Sequence, residues 1–224
     1  MWCIPPAQDG AFVARMEQVL EVYSQPYDPR YPVVCMDEQP FQLLSETRSP
    51  VPMGPGRGRV VDYEYTREGT CTVWMFVEPL GGWRDVRVTS RRTAKDWAEQ
   101  IRALVDAPRF RKAEWITLVC DNLNTHDFGS LYTTFEPTEA KRIMDRLDLV
   151  FTPKHGSWLN IAESELSVLT RQSLDDRLES ESAVRKRATP WARERNKTQV
   201  GVDWQFTTAN ARTKLKRLYP KIKT

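Results

Sequence analysis

Histidine and cysteine are scarce in this sequence, and that scarcity excludes several kinds of site. The 224 residues include two histidines and four cysteines, and no two cysteines are spaced as CxxC. A zinc enzyme draws its ligands from clusters of these residues, and a disulfide-stabilised secreted scaffold needs a framework of paired cysteines. We therefore expect neither zinc nor disulfides. Cys35 and Cys120 lie within apolar runs and are expected to be small core residues.

Long apolar runs are also missing. No run approaches the roughly 18–20 residues that span a bilayer. The segment Met1–Pro6 has neither the basic start nor the long apolar stretch of a signal peptide. We expect a cytoplasmic protein with no membrane partner. A chain of 224 residues, 40% hydrophobic and 28% charged, fits one α/β domain with a sizeable core.

The net charge of +3 hides an uneven distribution. From Arg185 to Thr224 there are twelve Lys or Arg against two acids, which gives +10 and leaves −7 for the rest of the chain. A basic tail on an acidic body suggests a polyanion as partner. A solvated helical face is an equally good interpretation of the charge alone. Trp191 and Trp204, in the same stretch, are expected to anchor it to the core.

Apolar periodicity predicts alternating strands and helices. Helices are expected over residues 11–23, 93–105, 138–147, 158–171, 182–195 and 208–218. The helix from Thr93 should begin with a capping box closed by Asp96, and should bury Trp97, Ile101 and Leu104. Buried strands are expected over 33–36 and 115–120, each stopping at an acid, with a short strand over 149–151.

The middle of the chain predicts an antiparallel meander. Its three strands are expected over 60–65, 70–77 and 83–88, with turns near Arg67–Gly69 and at Gly81–Gly82. The Pro- and Gly-rich segment Ser49–Arg59 is expected to be a loop. Arg57 and Arg59 in it could contact DNA phosphates, although a plain mobile loop is the more ordinary interpretation. Because strand–helix–strand crossovers demand parallel pairing, the whole is expected to be a mixed sheet with helices on its faces.

Two acids follow the two apolar strands. Asp37 and Asp121 would lie beyond the carboxyl ends of neighbouring parallel strands, where sites form in open α/β sheets. Two unpaired carboxylates that close repel each other unless a cation lies between them. Mg²⁺ or Mn²⁺, which prefer oxygen ligands, would satisfy both. For either aspartate alone, an Asx-turn or a helix cap is the commoner role.

A third carboxylate is expected from the helix over 158–171. The candidates are Glu163 and Glu165, and residues two apart on a helix point about 200° apart, so only one can face the metal. Glu163 is favoured because it lies at the edge of the apolar stripe, on the same side as Asn160. It could also simply complete a capping box with Asn160.

Both histidines fall in loops near this proposed site. His126 closes the polar segment Asp121–His126 and could orient a ligand or contact a phosphate. His155 could do the same from the loop before Glu163. A lone loop histidine is more often only a surface residue.

The sequence resembles the bacterial insertion-sequence branch of the mariner transposase superfamily. The resemblance runs nearly end to end, and three motifs make it specific: CMDEQP, DNLNTH and HGSWLNIAESE. The other matching segments, in family order, are WCIPP, QPYDPRYPVVCMDEQP, VDYEYTREGT, FVEPLGGWRDVRVTSRRTAKD, TPKHGSWLNIAESELSVLTRQ and WQFTTANARTKLKRLYP.

The resemblance implies an α/β fold, a ribonuclease-H-like mixed five-stranded sheet flanked by helices. It implies a catalytic DDE triad of Asp37, Asp121 and Glu163 that binds two Mg²⁺ (or Mn²⁺) ions. Asp121 and Glu163 are 42 positions apart, a longer spacing than mariner relatives usually have, which fits an insertion around Phe128–Pro137. The residues expected to support the triad are Glu38, Asn122, His126 and Asn160.

The implied chemistry is cleavage of DNA at a transposon end, followed by attack of the freed 3′-hydroxyl on target DNA at TA dinucleotides. The implied partners are double-stranded DNA, as transposon ends and as target, and a second copy of the chain in a homodimer. The residues expected to contact phosphates are Arg57, Arg59, Lys154, His155, Arg185, Lys186, Arg187, Lys214, Lys216 and Arg217. Such contacts position DNA without reading its sequence.

Three segments are predicted: an N-terminal helix and linker over 1–32, the catalytic core over 33–178, and a basic helical extension over 179–224 packed on the core. Family members carry N-terminal helix-turn-helix domains, whereas this sequence starts at the linker that normally follows them. An isolated catalytic domain, one frame of a split transposase and a truncated remnant are all compatible with this. Two alternative functions therefore stay open: a non-catalytic DNA-binding remnant, and a hydrolytic ribonuclease-H-like nuclease that cuts without joining.

Overall fold

The computed structural model describes residues 8–48, 54, 56 and 63–221. The strands are β1 (Val33–Glu46), β2 (Tyr65–Glu78), β3 (Trp83–Thr89), β4 (Ile116–Cys120) and β5 (Leu147–Phe151). The helices are α1 (Gly10–Ser24), α2 (Ala94–Val105), α3 (Phe128–Tyr132), α4 (Pro137–Met144), α5 (Ile161–Ser173), α6 (Glu181–Lys197) and α7 (Thr208–Lys214). Short 3-10 turns cover Pro108–Phe110, Ser157–Leu159 and Lys216–Leu218.

The five strands form one mixed sheet in the order β3-β2-β1-β4-β5. β1 pairs with β4 and β4 with β5 in parallel, while β2 is antiparallel to both β1 and β3. Four strands, all but β2, therefore point the same way. The carboxyl ends of β3, β4 and β5 lie at the same end of the sheet, and β1 continues beyond them to Glu46. The predicted α/β fold class, a mixed five-stranded sheet flanked by helices, is confirmed.

The prediction that the first strand stops at Asp37 was wrong. β1 continues to Glu46 because it has a second partner: residues Cys35–Glu46 pair with β2, whereas the parallel pairing with β4 covers only Val33–Cys35. Polar residues after Asp37 are tolerated because this part of the strand is only half-buried. Asp37 thus lies inside a strand, just where one of its two neighbours ends.

The predicted meander was also misplaced. Residues 65–78 form one strand, so the expected turn near Arg67–Gly69 does not occur. The chain instead passes this point with a register shift opposite Leu43 and Leu44, and Gly69 has φ +110°. Half of the first predicted strand, residues 60–62, lies outside the described residues, and of residues 63–65 only Tyr65 is in a strand. The turn at Gly81–Gly82 and the strand that follows are confirmed.

Helices cover both faces of the sheet. One buried cluster joins the sheet to α1, α5, α6 and α7, and the other joins it to α2, α3 and α4. On α2, Trp97, Ile101 and Leu104 are fully buried and the capping box of Thr93 and Asp96 is present, both as predicted. Cys35 and Cys120 are fully buried core residues, as expected.

The C-terminal helices belong to the same core. Trp191 is buried and Trp204 packs against the cluster, so both are confirmed as core anchors. α6 also covers the outer edge of β3, since the Asn196 side chain accepts a hydrogen bond from the Arg84 amide at 2.7 Å and donates to its carbonyl at 2.8 Å. In the part of the chain that the structure describes, no helix combines the length and apolarity that a membrane crossing requires.

Candidate active site

A cavity of about 280 Å³ lies at the edge where the parallel strands end. The pairing of β1 with β4 ends at Cys35, and residues from the start of α5 contribute to the lining beyond that point. The lining residues are predominantly polar. They are Asp37, Glu38, Gln39, Asp121, Thr152, Ser157, Asn160, Glu163 and Leu166. The three acids predicted from the sequence, distant along the chain, are thus brought to one cavity.

The backbone of Asp37 is fixed by strand pairing, and the charged form of its side chain is disfavoured. Its backbone is part of the ladder with β2, opposite Met75, and its Oδ1 accepts a hydrogen bond from the Glu38 amide at 2.9 Å. Burial, reinforced by the negative charges of Asp121, Glu38 and Glu163, raises the pKa of Asp37 to about 7. Carboxylates that disfavour each other's ionisation in this way are stabilised by a bound cation.

Asp121 follows β4 directly, as predicted, and has a buried histidine as its neighbour. His126 Nδ1 lies 2.6 Å from Asp121 Oδ1, and His126 Nε2 lies 3.5 Å from Glu38 Oε2. The imidazole also stacks on Trp97, with ring centroids 5.7 Å apart. Burial alone would lower the pKa of His126, but the carboxylates of Asp121 and Glu38 outweigh it and raise that pKa to about 9. A charged imidazole in this position lies between the two carboxylates and attracts both.

The donor atoms around the cavity suit a hard divalent cation. One carboxylate oxygen each from Glu38 and Asp121 lie within 4.8 Å of one another, whereas the charged imidazole of His126 has no free nitrogen to ligate a metal. Glu38 Oε2 and Asp121 Oδ1 are buried and make no hydrogen bond of regular geometry, although both are close to His126. Buried oxygen atoms without hydrogen bonds are costly unless a ligand satisfies them. Mg²⁺ and Mn²⁺ prefer such oxygen donors.

The start of α5 sets the position of Glu163. The helix begins at Ile161, later than predicted, because a 3-10 turn over Ser157–Leu159 precedes it. Asn160, buried, caps it by accepting from the Ala162 amide at 3.1 Å, and its side-chain amide donates to the Met36 carbonyl at 2.9 Å. This ties α5 to β1 one residue before Asp37. Glu163, in the first turn, is exposed and lines the cavity.

Glu165 has a different environment. It is buried and accepts hydrogen bonds from Arg84 Nε at 2.9 Å, Arg84 Nη2 at 3.0 Å and Arg195 Nη2 at 3.0 Å. Arg84, fully buried on β3, was missed in the sequence. Its signal was its place in the alternation with Val86 and Val88, which put an arginine on the inward face of the strand.

The residues expected to support the triad divide into two groups. Glu38, His126 and Asn160 lie at or beside the cavity, as described above. Asn122 is exposed in the loop after β4 and does not contribute to the lining. The segment Phe128–Pro137, expected as an insertion, contains the short helix α3.

The residues expected to contact DNA are spread over the surface. Arg57 and Arg59 lie outside the described residues. Lys154 and His155 are exposed in the loop after β5, beside the cavity. Arg187 is ion-paired with Asp176 at 2.7 Å, and Arg185 donates to the Val88 carbonyl at 2.7 Å. Exposed positions are also taken by Lys186, Lys214, Lys216 and Arg217.

Comparison with known proteins matches this region to one family. Residues 32–185 fit the model of the DDE superfamily endonuclease domain. No curated protein is significantly similar in sequence.

Solved structures of the Mos1 mariner transposase have a similar fold. The paired-end complex with Mn is 15% identical and covers 88% of this chain and 60% of its own, with a TM-score of 0.53. The strand transfer complex is 14% identical and covers 89% of this chain and 60% of its own, with a TM-score of 0.57. The paired-end complex with Mg is 14% identical and covers 97% of this chain and 66% of its own, with a TM-score of 0.51. This chain thus spans about 60% of the length of the first Mos1 structures it matches, and at this identity the likeness shows the ribonuclease-H-like fold.

Proposed function

The chain belongs to the DDE superfamily endonucleases, and from this premise we propose that it is a transposase catalytic domain that cuts DNA and joins the cut end to a target. One observation carries the proposal. Asp37, Asp121 and Glu163 line a single cavity, and the pKa of Asp37 is raised to about 7 by burial and by the neighbouring acids. A carboxylate with a perturbed pKa, beside other acids in a cleft, is typical of a catalytic site.

Asp37, Asp121 and Glu163 would hold Mg²⁺ or Mn²⁺, with two ions proposed. When bound, the metal supplies an activated water or 3′-hydroxyl and stabilises negative charge on the phosphate. The protein's own contribution is positional. The β2 ladder fixes Asp37, His126 orients Asp121, and the cap at Asn160 fixes the first turn of α5.

The proposed substrate is double-stranded DNA, first as a transposon end and then as target at TA dinucleotides. The likeness to the Mos1 paired-end and strand transfer complexes supports DNA as partner. A homodimer is proposed as the active form. We further propose that the protein belongs to a bacterial insertion sequence and acts in the cytoplasm, at the nucleoid.

Removing one carboxylate tests the proposal. Asp121→Ala should abolish Mg²⁺-dependent nicking of a labelled duplex, because a metal ligand is removed, while folding and DNA affinity are retained. Asp148→Ala is the matched control, since Asp148 is an exposed acid at the opposite end of the neighbouring strand β5. Cleavage by the Asp121 variant at the wild-type rate would refute the assignment.

The same assays separate the alternatives. A transposase transfers the cut 3′ end to a second duplex, whereas a hydrolytic nuclease leaves only cut products. A non-catalytic remnant need not bind metal, so calorimetry with Mn²⁺ distinguishes it from both enzymes.

A further inference from the structure

We propose that Arg91, Arg92 and Lys95, between β3 and α2, form a surface that binds the phosphodiester backbone of the DNA whose cleaved phosphate enters the acidic cavity. This inference rests on the proposed function, since it names how the substrate of that site is held. None of the three residues was expected to bind DNA from the sequence.

The sheet topology places this surface at the carboxyl ends of the parallel strands, where the cavity also lies. β3 runs in the same direction as β1, β4 and β5, so its last residue, Thr89, lies at their carboxyl edge. Thr72 of β2 pairs with both Thr89 and Pro40, and Pro40 is three residues beyond Asp37. Thr89 is therefore about 10 Å along and about 10 Å across the sheet from Asp37. That separation corresponds to roughly four base pairs of B-DNA, at about 3.4 Å of helix axis each.

Side-chain contacts connect the same surface to the site. Trp97, on the first turns of α2, stacks on His126 at 5.7 Å, and His126 Nδ1 lies 2.6 Å from Asp121 Oδ1. Lys95, two residues before Trp97, points about 200° away from it on the helix. The helix that follows Arg91 and Arg92 therefore contacts the site through Trp97, whose ring packs on His126, while Lys95 lies on its exposed side.

The segment is held in place at both of its ends. Trp74 Nε1 donates to the Thr89 hydroxyl at 2.8 Å, and that hydroxyl donates to the Arg91 carbonyl at 2.5 Å. At the other end, the capping box of Thr93 and Asp96 fixes the first turn of α2. A surface positioned in this way presents its charges at a defined place, which is what contacts that set the register of DNA require.

The three positive charges are not neutralised. Arg91, Arg92 and Lys95 are exposed, and none forms a salt bridge with any residue in the described ranges. The acids closest in sequence already have other partners. Asp85 pairs with Arg87, Asp96 closes the capping box, and Glu99 pairs with Arg102. Because the cavity itself is acidic and repels phosphate, free cations beside it are needed to bring DNA to it.

A pair of double variants tests this surface. Arg91→Gln/Arg92→Gln removes two charges at the site edge. Arg111→Gln/Lys112→Gln removes two charges from exposed residues that also lack a salt bridge within the described ranges, but that lie before β4, at the opposite end of the sheet. Binding of a fluorescent duplex to the full chain is followed by anisotropy in Ca²⁺, across a series of salt concentrations, and Mn²⁺ affinity and melting temperature are measured in parallel.

The site-edge variant should bind DNA about 100-fold more weakly, about tenfold for each charge-assisted hydrogen bond to phosphate that the substitutions remove. Its plot of log K against log salt should be shallower by about 1.8, with Mn²⁺ affinity and melting temperature unchanged. The control variant should bind like the wild type. Wild-type affinity and salt slope in the site-edge variant, or equal losses of affinity in both variants, would overturn the inference. If the wild-type chain never cleaves DNA, yet only the site-edge variant binds DNA more weakly, the proposed function is refuted and the surface stands.

Discussion

Glu163 and Glu165 stand two residues apart on α5, yet their environments have little in common. Glu163 is exposed, lines the cavity and forms no salt bridge with any described residue. Glu165 is buried and bound by two arginines. Because a helix turns about 200° over two residues, burying Glu165 turns Glu163 away from the core, and on this helix that side lines the cavity.

The contrast shows how one helix can combine stability with chemistry. The ion pairs of Glu165 connect α5 to β3 through Arg84 and to α6 through Arg195. They fix the rotation of α5 about its axis, and with it the direction of Glu163. A carboxylate whose oxygens already accept hydrogen bonds from two arginines has little ability to bind a metal ion. An unpaired carboxylate beside other acids keeps that ability.

The largest effects should separate the two glutamates completely. Glu163→Gln should lower the rate of DNA cleavage by about 10²- to 10³-fold, since it removes a charge that stabilises the transition state, with no change in melting temperature. Glu165→Ala should instead lower the free energy of unfolding by about 3–5 kcal/mol, because it leaves Arg84 buried without its counter-charge. Cleavage rates and urea denaturation measure the two.

The assigned roles of Glu163 and Glu165 would be refuted if the effects of their substitutions on stability and cleavage were reversed. A Glu163 variant that unfolds early but cleaves normally when folded would make it a structural residue. A stable Glu165 variant without cleavage activity would identify Glu165 as the metal ligand.

Asp121 is the intermediate case, because it lines the cavity and also has a buried partner in His126. His126→Gln should weaken Mn²⁺ binding by roughly 10- to 100-fold, the usual effect of removing a group that orients a metal ligand. His155→Gln is the control, since this exposed histidine forms no salt bridge with any described residue, whereas His126 contacts both Asp121 and Glu38. Calorimetry measures both, and equal Mn²⁺ affinities in the two variants would exclude an orienting role for His126.

The smallest effect concerns acid stability. Burial raises the pKa of Glu165, but Arg84 and Arg195 outweigh it, so the folded-state pKa lies below the ordinary 4.5. Stability from this group is then fully present above about pH 4.5 and is lost as the pH falls through the folded-state value. The difference in unfolding free energy between wild type and Glu165→Gln should therefore shrink from pH 6 to pH 3. A constant difference would mean that the arginines do not stabilise the ionised form.

The apolar periodicity of the sequence predicted those elements whose burial follows a regular local pattern. The capped helix α2 and the apolar strand β4 were predicted because each shows a regular pattern of burial. Trp191, which is buried, and Trp204, which is half-buried, were expected as core anchors because they are large and apolar. The extent of β1 could not be predicted in this way. Its residues after Met36 are half-buried and polar, and only the pairing with β2, far along the chain, makes them a strand.

The candidate site shows the same limit. Asp37 and Asp121 were found because each follows an apolar run, and Glu163 was favoured for its place on the helix stripe. The role of Arg84 depends on Glu165 and Arg195, which lie 81 and 111 positions away in sequence. The bridge that His126 makes between Asp121 and Glu38 needs the end of β4 to lie beside the middle of β1, which no local pattern encodes.

The covering of β3 by α6 has a consequence for how copies of the chain can meet. Outer strands of a sheet expose backbone amides and carbonyls that can recruit a strand from another molecule. Here the Asn196 carboxamide occupies both groups of Arg84, and Arg185 occupies the carbonyl of Val88. A second molecule cannot extend the sheet at these positions, which protects the protein from strand-to-strand aggregation and directs any self-association to other surfaces.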